Sequence, residues 1–153
     1  MQEKFFTSRE AAEITGCSRR QLQYWRDKKV IVPTVNTTGK GKNVYYSKSD
    51  LLVLTVMYYL LSRGLNFEVC QQTLEILKHQ ESWMFEYSNK KNKKFLLIID
   101  SSDEHLKLKD FDTKLVLEAI DKYKCVISIA SSYIHKELQH NLKRFTEGTD
   151  ITR

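Results

Sequence analysis

Three helix starts in the first fifty residues share one signature, a Ser or Thr followed three positions later by an acid or an amide. The pairs are Thr7 with Glu10, Ser18 with Gln21, and Ser47 with Asp50. In such a capping box each of the two side chains accepts a hydrogen bond from the backbone of the other residue, so the helix start is fixed locally. Gly16 can take the left-handed conformation that closes a helix over 8–15, and Cys17 leads straight into the next helix. Two short helices joined in this way predict a helix-turn-helix.

The rest of the first half completes a compact unit. Pro33 ends the second helix region, and residues 34–46 are β-prone at both ends with glycines and lysines in the middle, which predicts a hairpin with a basic tip. An apolar helix over 48–63 and an amphipathic helix over 67–78 follow. The apolar helix is too short to cross a bilayer and is interpreted as a core helix.

The second half has a different character and predicts a small α+β domain. The segments "WMFEYS" and "FLLIID" flank "NKKNKK" and predict a β-hairpin, with "EHLKLKDF" as a third strand. A helix over "TKLVLEAIDKY", a buried strand over "CVISIAS" and a final amphipathic helix complete the pattern. The predicted fold class is therefore α+β, with a winged helix-turn-helix domain over 1–78 and a domain of short antiparallel strands and two helices over 79–153.

Positive charge is concentrated in the first half. Residues 1–78 hold 12 Lys and Arg against 7 Asp and Glu, whereas residues 79–153 hold 13 against 12. A basic domain favours polyanionic partners. No apolar run approaches the roughly 18 residues of a membrane span, and the N-terminus lacks a signal peptide's apolar centre. We therefore predict a cytoplasmic, nucleoid-associated protein without a membrane partner.

The helix predicted over 18–29 places its charges and its core residues on different faces. At 100° per residue, Leu22 and Trp25 share one face, and Arg20, Gln23 and Tyr24 lie opposite them. Arg recognises guanine or phosphate, Gln recognises adenine, and Tyr contacts phosphate or the thymine methyl group. A solvated basic helix would show the same charges, but the basic hairpin that follows favours DNA.

The residues "AAEITGCSRRQLQYW", "VIVP", "GKGKNVYYSKSDL" and "LLSRGLNFEVC" occur in the order seen in the DNA-binding domain of MerR-family transcriptional regulators. The first 78 residues resemble that domain. The resemblance implies a recognition helix at 18–29 in the major groove of double-stranded DNA, a wing at 34–46 on the backbone, and supporting helices at 48–63 and 67–78. Together with the charge pattern, it predicts these DNA-binding residues: Ser18, Arg19, Arg20, Gln23, Tyr24, Lys28, Lys40, Lys42, Asn43 and Tyr45.

The chain departs from the family pattern at three points. Many members carry Arg where this chain has Gln23 and where it has Val44, so adenine preference and lysine-based wing contacts are expected here. Typical members also continue into a long dimerising helix, whereas this sequence becomes strand-like soon after Leu77. A homodimer through another surface, assembly of monomers on DNA, RNA polymerase as a partner and a small-molecule effector all stay open.

Other classes of function find less support in the sequence. There is no nucleophile motif and no phosphate loop, "SSDEH" fits turn chemistry, and we predict neither an enzyme nor a cofactor. His135 and His140 are five residues apart, which is not a ligand spacing, so no metal site is predicted. The three cysteines are interpreted as buried thiols. Trp83, Phe85 and Tyr87 are predicted on one face of a strand, as core or as an effector pocket. The second half, residues 79–153, is predicted to be an effector, dimerisation or protein-interaction domain. The alternative function is an architectural or recombination accessory protein of the excisionase or nucleoid-organiser type, and a third is a protein-interaction module with an acidic partner.

Overall fold

A computed structural model describes residues 3–37, 43–100 and 105–151. The helices are α1 (Ser8–Thr15), α2 (Arg19–Asp27), α3 (Lys48–Ser62), α4 (Phe67–Gln80), α5 (Thr113–Asp121) and α6 (Ser131–Ile151), with a 3₁₀ helix at Ser82–Phe85. The strands are β1 (Phe6–Thr7), β2 (Val35–Asn36), β3 (Val44–Tyr46), β4 (Lys94–Asp100), β5 (His105–Asp110) and β6 (Cys125–Ala130). The α+β class is confirmed. No helix within the described ranges is long and apolar enough to span a membrane.

The predicted helix-turn-helix is present, and all three capping boxes are formed. Gly16 closes α1 with φ 88°, and a side chain at this position would meet the ring of Tyr58 at 2.9 Å. Cys17 lies buried in the turn, where its Sγ donates to the carbonyl of Leu54 at 3.6 Å. The second helix is shorter than predicted and ends at Asp27. It stops there because Lys29 takes the left-handed conformation, with φ 58°, and the amide of Val30 turns back to the carbonyl of Trp25 at 2.8 Å.

The predicted wing hairpin pairs β2 with β3 in antiparallel register. Thr37 extends the pairing toward the tip, because its Oγ1 accepts from the amide of Asn43 at 2.8 Å and donates to the Asn43 carbonyl at 3.0 Å. A strand that was not predicted, β1, pairs with the other edge of β3. This pairing ties the wing to the residues that begin α1.

The second sheet has the order β5-β4-β6, with both pairings antiparallel. The hairpin predicted between "WMFEYS" and "FLLIID" is wrong, because Ser82–Phe85 form a 3₁₀ helix that follows α4. Consequently Trp83, Phe85 and Tyr87 do not line one strand face. Burial of Met84 and Phe85 against the core holds this turn, and β4 instead forms its hairpin with β5.

The strand "CVISIAS" was predicted to be buried, and this is only partly correct. β6 lies at the edge of its sheet, with Cys125 and Ser128 exposed and Ile129 buried. The prediction of three buried thiols therefore fails at Cys125, whereas Cys17 and Cys70 are buried.

One hydrophobic cluster joins residues of both halves of the chain. Ile14 and Leu54 belong to the same cluster as Phe95 of β4 and Leu138 of α6. Helix α6 packs against both α1 and α3, so α6 stabilises the position of the helix-turn-helix. The division of the chain at residue 78 stays a prediction.

A polar network links the end of α4 to the second sheet. Glu81 accepts from Lys93 Nζ at 2.8 Å and from Trp83 Nε1 at 2.6 Å, and Lys93 also lies 3.2 Å from Asp110. Burial raises the pKa of Glu81, but the hydrogen bonds from Lys93 and Trp83 and the positive charges of Lys93 and Lys91 outweigh it, so the pKa lies below its ordinary value of 4.5.

This lowered pKa predicts an acid-dependent loss of stability. Because the folded-state pKa lies below the unfolded-state value, the stabilisation is complete above pH 4.5 and is lost as the pH falls through the folded-state pKa. We expect Glu81→Gln to flatten the dependence of the free energy of unfolding on pH below 4.5, as measured by urea denaturation at a series of pH values. Glu118→Gln, which changes an exposed carboxylate on α5, is the matched control. Equal acid sensitivity in Glu81→Gln and the unmodified protein would refute this role.

Candidate nucleic-acid interface

Helix α2 presents its polar side chains to solvent from a fixed orientation. Leu22 and Trp25 are each 2% exposed and anchor the helix to the core. The predicted residues Arg19, Arg20, Gln23 and Lys28 are exposed on the other side. Ser18 is also exposed, and its Oγ accepts from the amide of Gln21 at 3.0 Å, so this hydroxyl sets the start of the helix.

Tyr24 is held at the boundary between α2 and α4. Its ring is 49% exposed and meets Phe67 edge to face, with 5.7 Å between the ring centroids. Lys28 Nζ lies 5.8 Å from the centroid of the same ring. These contacts orient Tyr24 while half of its surface stays accessible.

The wing contributes its two described candidate residues beside α2. Asn43 is exposed and Tyr45 is half-buried, one immediately before β3 and the other within it. Lys40 and Lys42, predicted at the tip, lie outside the described residues.

Two clefts, each of about 370 Å³, lie between α1 and α2, and the second extends to β3. The first is lined by Ser8, Arg19, Arg20, Gln23 and Arg26. The second is lined by Thr7, Ser8, Arg9, Arg19, Arg26, Asn43, Val44 and Tyr45. The structure thus brings together predicted residues of the helix and of the wing, and no carboxylate is among the described residues that line either cleft.

Five lining residues were missed by the sequence-based prediction, namely Thr7, Ser8, Arg9, Arg26 and Val44. Ser8 and Arg9 lie in the first turn of α1, where the capping box occupies the amides of Thr7 and Glu10 and leaves those of Ser8 and Arg9 for an anion. The Thr7 capping box signalled this helix start, but the sequence did not show that it lies beside α2. Arg26 was recognised as basic, yet only the fold turns it toward β1 and β3.

Tyr46 is buried beneath this surface and links the wing strand β3 to α1 and α2. Its side chain is 1% exposed, and burial raises its pKa, whereas the charge of Arg26 and a hydrogen bond with Ser8 act in the opposite direction. The buried ring therefore fixes β3 against the two elements that carry Ser8 and Arg26.

The thiols and histidines that the structure describes are candidate metal ligands by their chemistry. Within the described ranges no group of three potential ligands converges. Burial raises the pKa of both Cys17 and Cys70 to about 11, which keeps these thiols protonated. His135 Nε2 lies 2.8 Å from the carbonyl of Met84 and so has a structural partner.

The first 78 residues thus form a winged helix-turn-helix that carries a cationic surface. The family model of MerR HTH family regulatory proteins matches residues 6–76. Named relatives include HTH-type transcriptional regulators, described as uncharacterized, of Mycobacterium bovis and Mycobacterium tuberculosis, each 31% identical over 71 residues. The match covers 46% of this chain and 32% of each relative, so the chain spans about a third of the length of these proteins. The match to the MerR family of helix-turn-helix regulators over residues 6–76 confirms the resemblance read from the sequence.

Proposed function

We propose that the protein is a sequence-specific, double-stranded-DNA-binding regulator of transcription. The observation that carries this proposal is the cationic surface on which the start of α1, the exposed face of α2 and the wing strand β3 converge. The family match of residues 6–76 supports the same class of function. Such a protein would act in the cytoplasm at the nucleoid.

In this proposal α2 enters the major groove and carries the base contacts. A major groove about 12 Å wide admits one α-helix, and the exposed face of α2 carries Arg20, Gln23 and Tyr24. Gln23 can bond the N6 and N7 atoms of adenine, and Arg20 can bond the O6 and N7 atoms of guanine. Trp25 and Leu22 on the buried face would fix the angle at which these side chains meet the bases.

The phosphate contacts would come from the elements around α2. Arg9, Arg19 and Arg26 surround the second cleft, where the first amides of α1 add dipolar donors. Ser18, Lys28, Asn43 and Tyr45 extend the same surface, and Lys40 and Lys42 of the wing are proposed to add charge beside it. Phosphate contacts position the protein on the duplex, while the base contacts specify the sequence.

The phosphate role of Arg26 predicts a change in salt dependence. Each phosphate neutralised by a protein cation contributes about 0.9 to the slope of log affinity against log salt concentration. We therefore expect Arg26→Ala to reduce the magnitude of this slope by about one unit and to weaken all duplex sequences alike. Fluorescence anisotropy with a labelled duplex over a salt series measures both effects.

The control is Lys122→Ala, which removes an exposed charge at the end of α5, outside both clefts. This variant should keep the slope of the unmodified protein. An Arg26→Ala slope equal to that of Lys122→Ala would show that the cleft does not hold phosphate. RNA polymerase as a further partner stays a prediction.

A further inference from the structure

The two edges of the second sheet differ in how they are protected. β5, with the sequence "HLKLKD", carries Lys107, Lys109 and Asp110, charges of the kind that discourage pairing with another strand. β6, with the sequence "CVISIA", has no charged residue and no proline. An apolar edge strand without such protection is a template for pairing with another strand.

Among the described residues, the outer edge of β6 has no backbone partner over its first three residues, 125–127. β6 pairs with β4 in one constant register, and the Ser131 amide bonds to the Lys93 carbonyl at 2.9 Å. In an antiparallel pair the hydrogen-bonded positions alternate, so every second residue of β6, counted back from Ser131, bonds to β4. By alternation, Val126 and Ser128 turn their amides and carbonyls to the outer edge. Ser128 already accepts there from the hydroxyl of Tyr59. Among the described residues no strand pairs with this edge, so Val126 is the centre of the open part.

An apolar flank of α5 lies next to the same edge. Leu115 lines a cleft with Lys109 of β5, so the opposite flank of α5 faces away from β5 and toward the side of β6. That flank carries Ile120 and Leu117, which are 56% and 59% exposed, and the chain leaves the helix through Tyr123, which is 93% exposed. Three large apolar side chains and an open apolar strand therefore form one continuous surface, which we call the β6-α5 face.

The charges on α5 match those of a second copy related by a two-fold axis. Helix α5 carries Lys114 near its start and Asp121 at its end, with Leu117 between them. In an antiparallel pair of α5 helices, Lys114 of each copy approaches Asp121 of the other. The positive charges of Lys114 and Lys122 balance the negative charges of Glu118 and Asp121. This surface therefore has no net charge that would attract a strongly charged partner of either sign.

The strand and the helix agree on the position of such an axis. The Lys124 amide bonds to the Ala119 carbonyl at 2.9 Å, which sets the two elements level at that point. From there two strand residues rise roughly 6 to 7 Å, about the rise of four helix residues, so Val126 lies level with about residue 115 of α5. An axis that passes by Val126 therefore passes about two helix residues, or roughly 3 Å, from Leu117.

We propose that the β6-α5 face is the dimer interface of this protein, with a second copy as its occupant. The two β6 strands pair antiparallel about Val126 and join the two sheets into one, while the α5 helices pack side by side through Leu117 and Ile120. This arrangement needs no long dimerising helix after α4. It is independent of DNA contacts, since none of its residues lies on the surface formed by α1, α2 and β3.

Sedimentation equilibrium of the full chain without DNA tests the interface. The unmodified protein is expected to sediment at twice its chain mass of 18.1 kDa. Ile120→Lys on the helix and Cys125→Lys at the exposed start of the strand should each raise the dimer dissociation constant at least about tenfold, because each places a charge in an apolar contact. Val32→Lys is the matched control, since Val32 is similarly exposed, at 46%, and lies in the helix-turn-helix half.

Circular dichroism and cooperative unfolding show that each variant is folded before its mass is read. A protein that stays monomeric at the highest concentration it tolerates would overturn the proposal. A dimer that Ile120→Lys and Cys125→Lys leave as tight as Val32→Lys does would overturn it as well, because another surface would then hold the copies together. Neither result would affect the DNA-binding proposal, which is measured separately with labelled duplex.

Discussion

Replacement of Trp25 by Ala is expected to lower the free energy of unfolding by about 3 to 5 kcal/mol. Trp25 is 2% exposed and is among the largest fully buried side chains within the described residues. Removal of its side chain leaves a cavity under α2. Urea denaturation followed by circular dichroism measures the loss, with Trp25→Ala and the unmodified protein compared at equal protein concentration.

Tyr24→Ala is the matched control, because it removes the neighbouring aromatic ring from the other face of the same helix. Tyr24 is half exposed and makes one edge-to-face contact with Phe67, a contact worth about 0.5 to 1.5 kcal/mol. A loss in Tyr24→Ala as large as in Trp25→Ala would mean that α2 is not oriented as described. The face proposed to meet DNA would then be wrong too.

Replacement of Gln23 by Ala is expected to relax base preference at one position of the binding site by about 1 to 3 kcal/mol. Gln23 is exposed on α2 and lines the first cleft beside Arg19, Arg20 and Arg26, so its amide is placed among groups that would hold the duplex. Affinities for a matched duplex and for a duplex changed at that base, measured with both proteins, give the discrimination.

Gln139→Ala provides the control, since Gln139 is an exposed glutamine on α6, outside both clefts. It should leave discrimination at every position unchanged. If Gln23→Ala distinguishes matched from mismatched duplex as well as Gln139→Ala does, the amide of Gln23 does not read a base.

The first half of the fold could be predicted because its signals are local. Each capping box lies within four residues, Gly16 marks the turn by its own backbone freedom, and the order of these signals is that of a helix-turn-helix. Even there the end of α2 was predicted two residues too late. Lys29 adopts a left-handed conformation, which a lysine in the sequence does not indicate.

The errors in the second half come from patterns whose meaning depends on the rest of the fold. Alternate aromatic residues in "WMFEYS" have strand propensity, but the burial of Met84 and Phe85 against the core selects a 3₁₀ helix. The apolar run "CVISIAS" suits a buried strand or an edge strand equally, and only the sheet order places β6 at the edge. The sequence also could not show that Arg9 and Arg26 line the same cleft, because they belong to separate helices that only the tertiary fold brings together.

The central claim, sequence-specific recognition of double-stranded DNA, is tested most directly by selection from a random duplex library at near-physiological salt. We predict that sequencing of the bound fraction yields an enriched motif, and that a dimer built on the β6-α5 face would favour an inverted repeat. Salt-sensitive binding without enrichment would contradict sequence-specific recognition and favour an architectural or recombination accessory role. If no DNA is retained at all, the DNA-binding proposal itself is contradicted. The remaining alternative is then that the basic face of α2 binds an acidic protein partner.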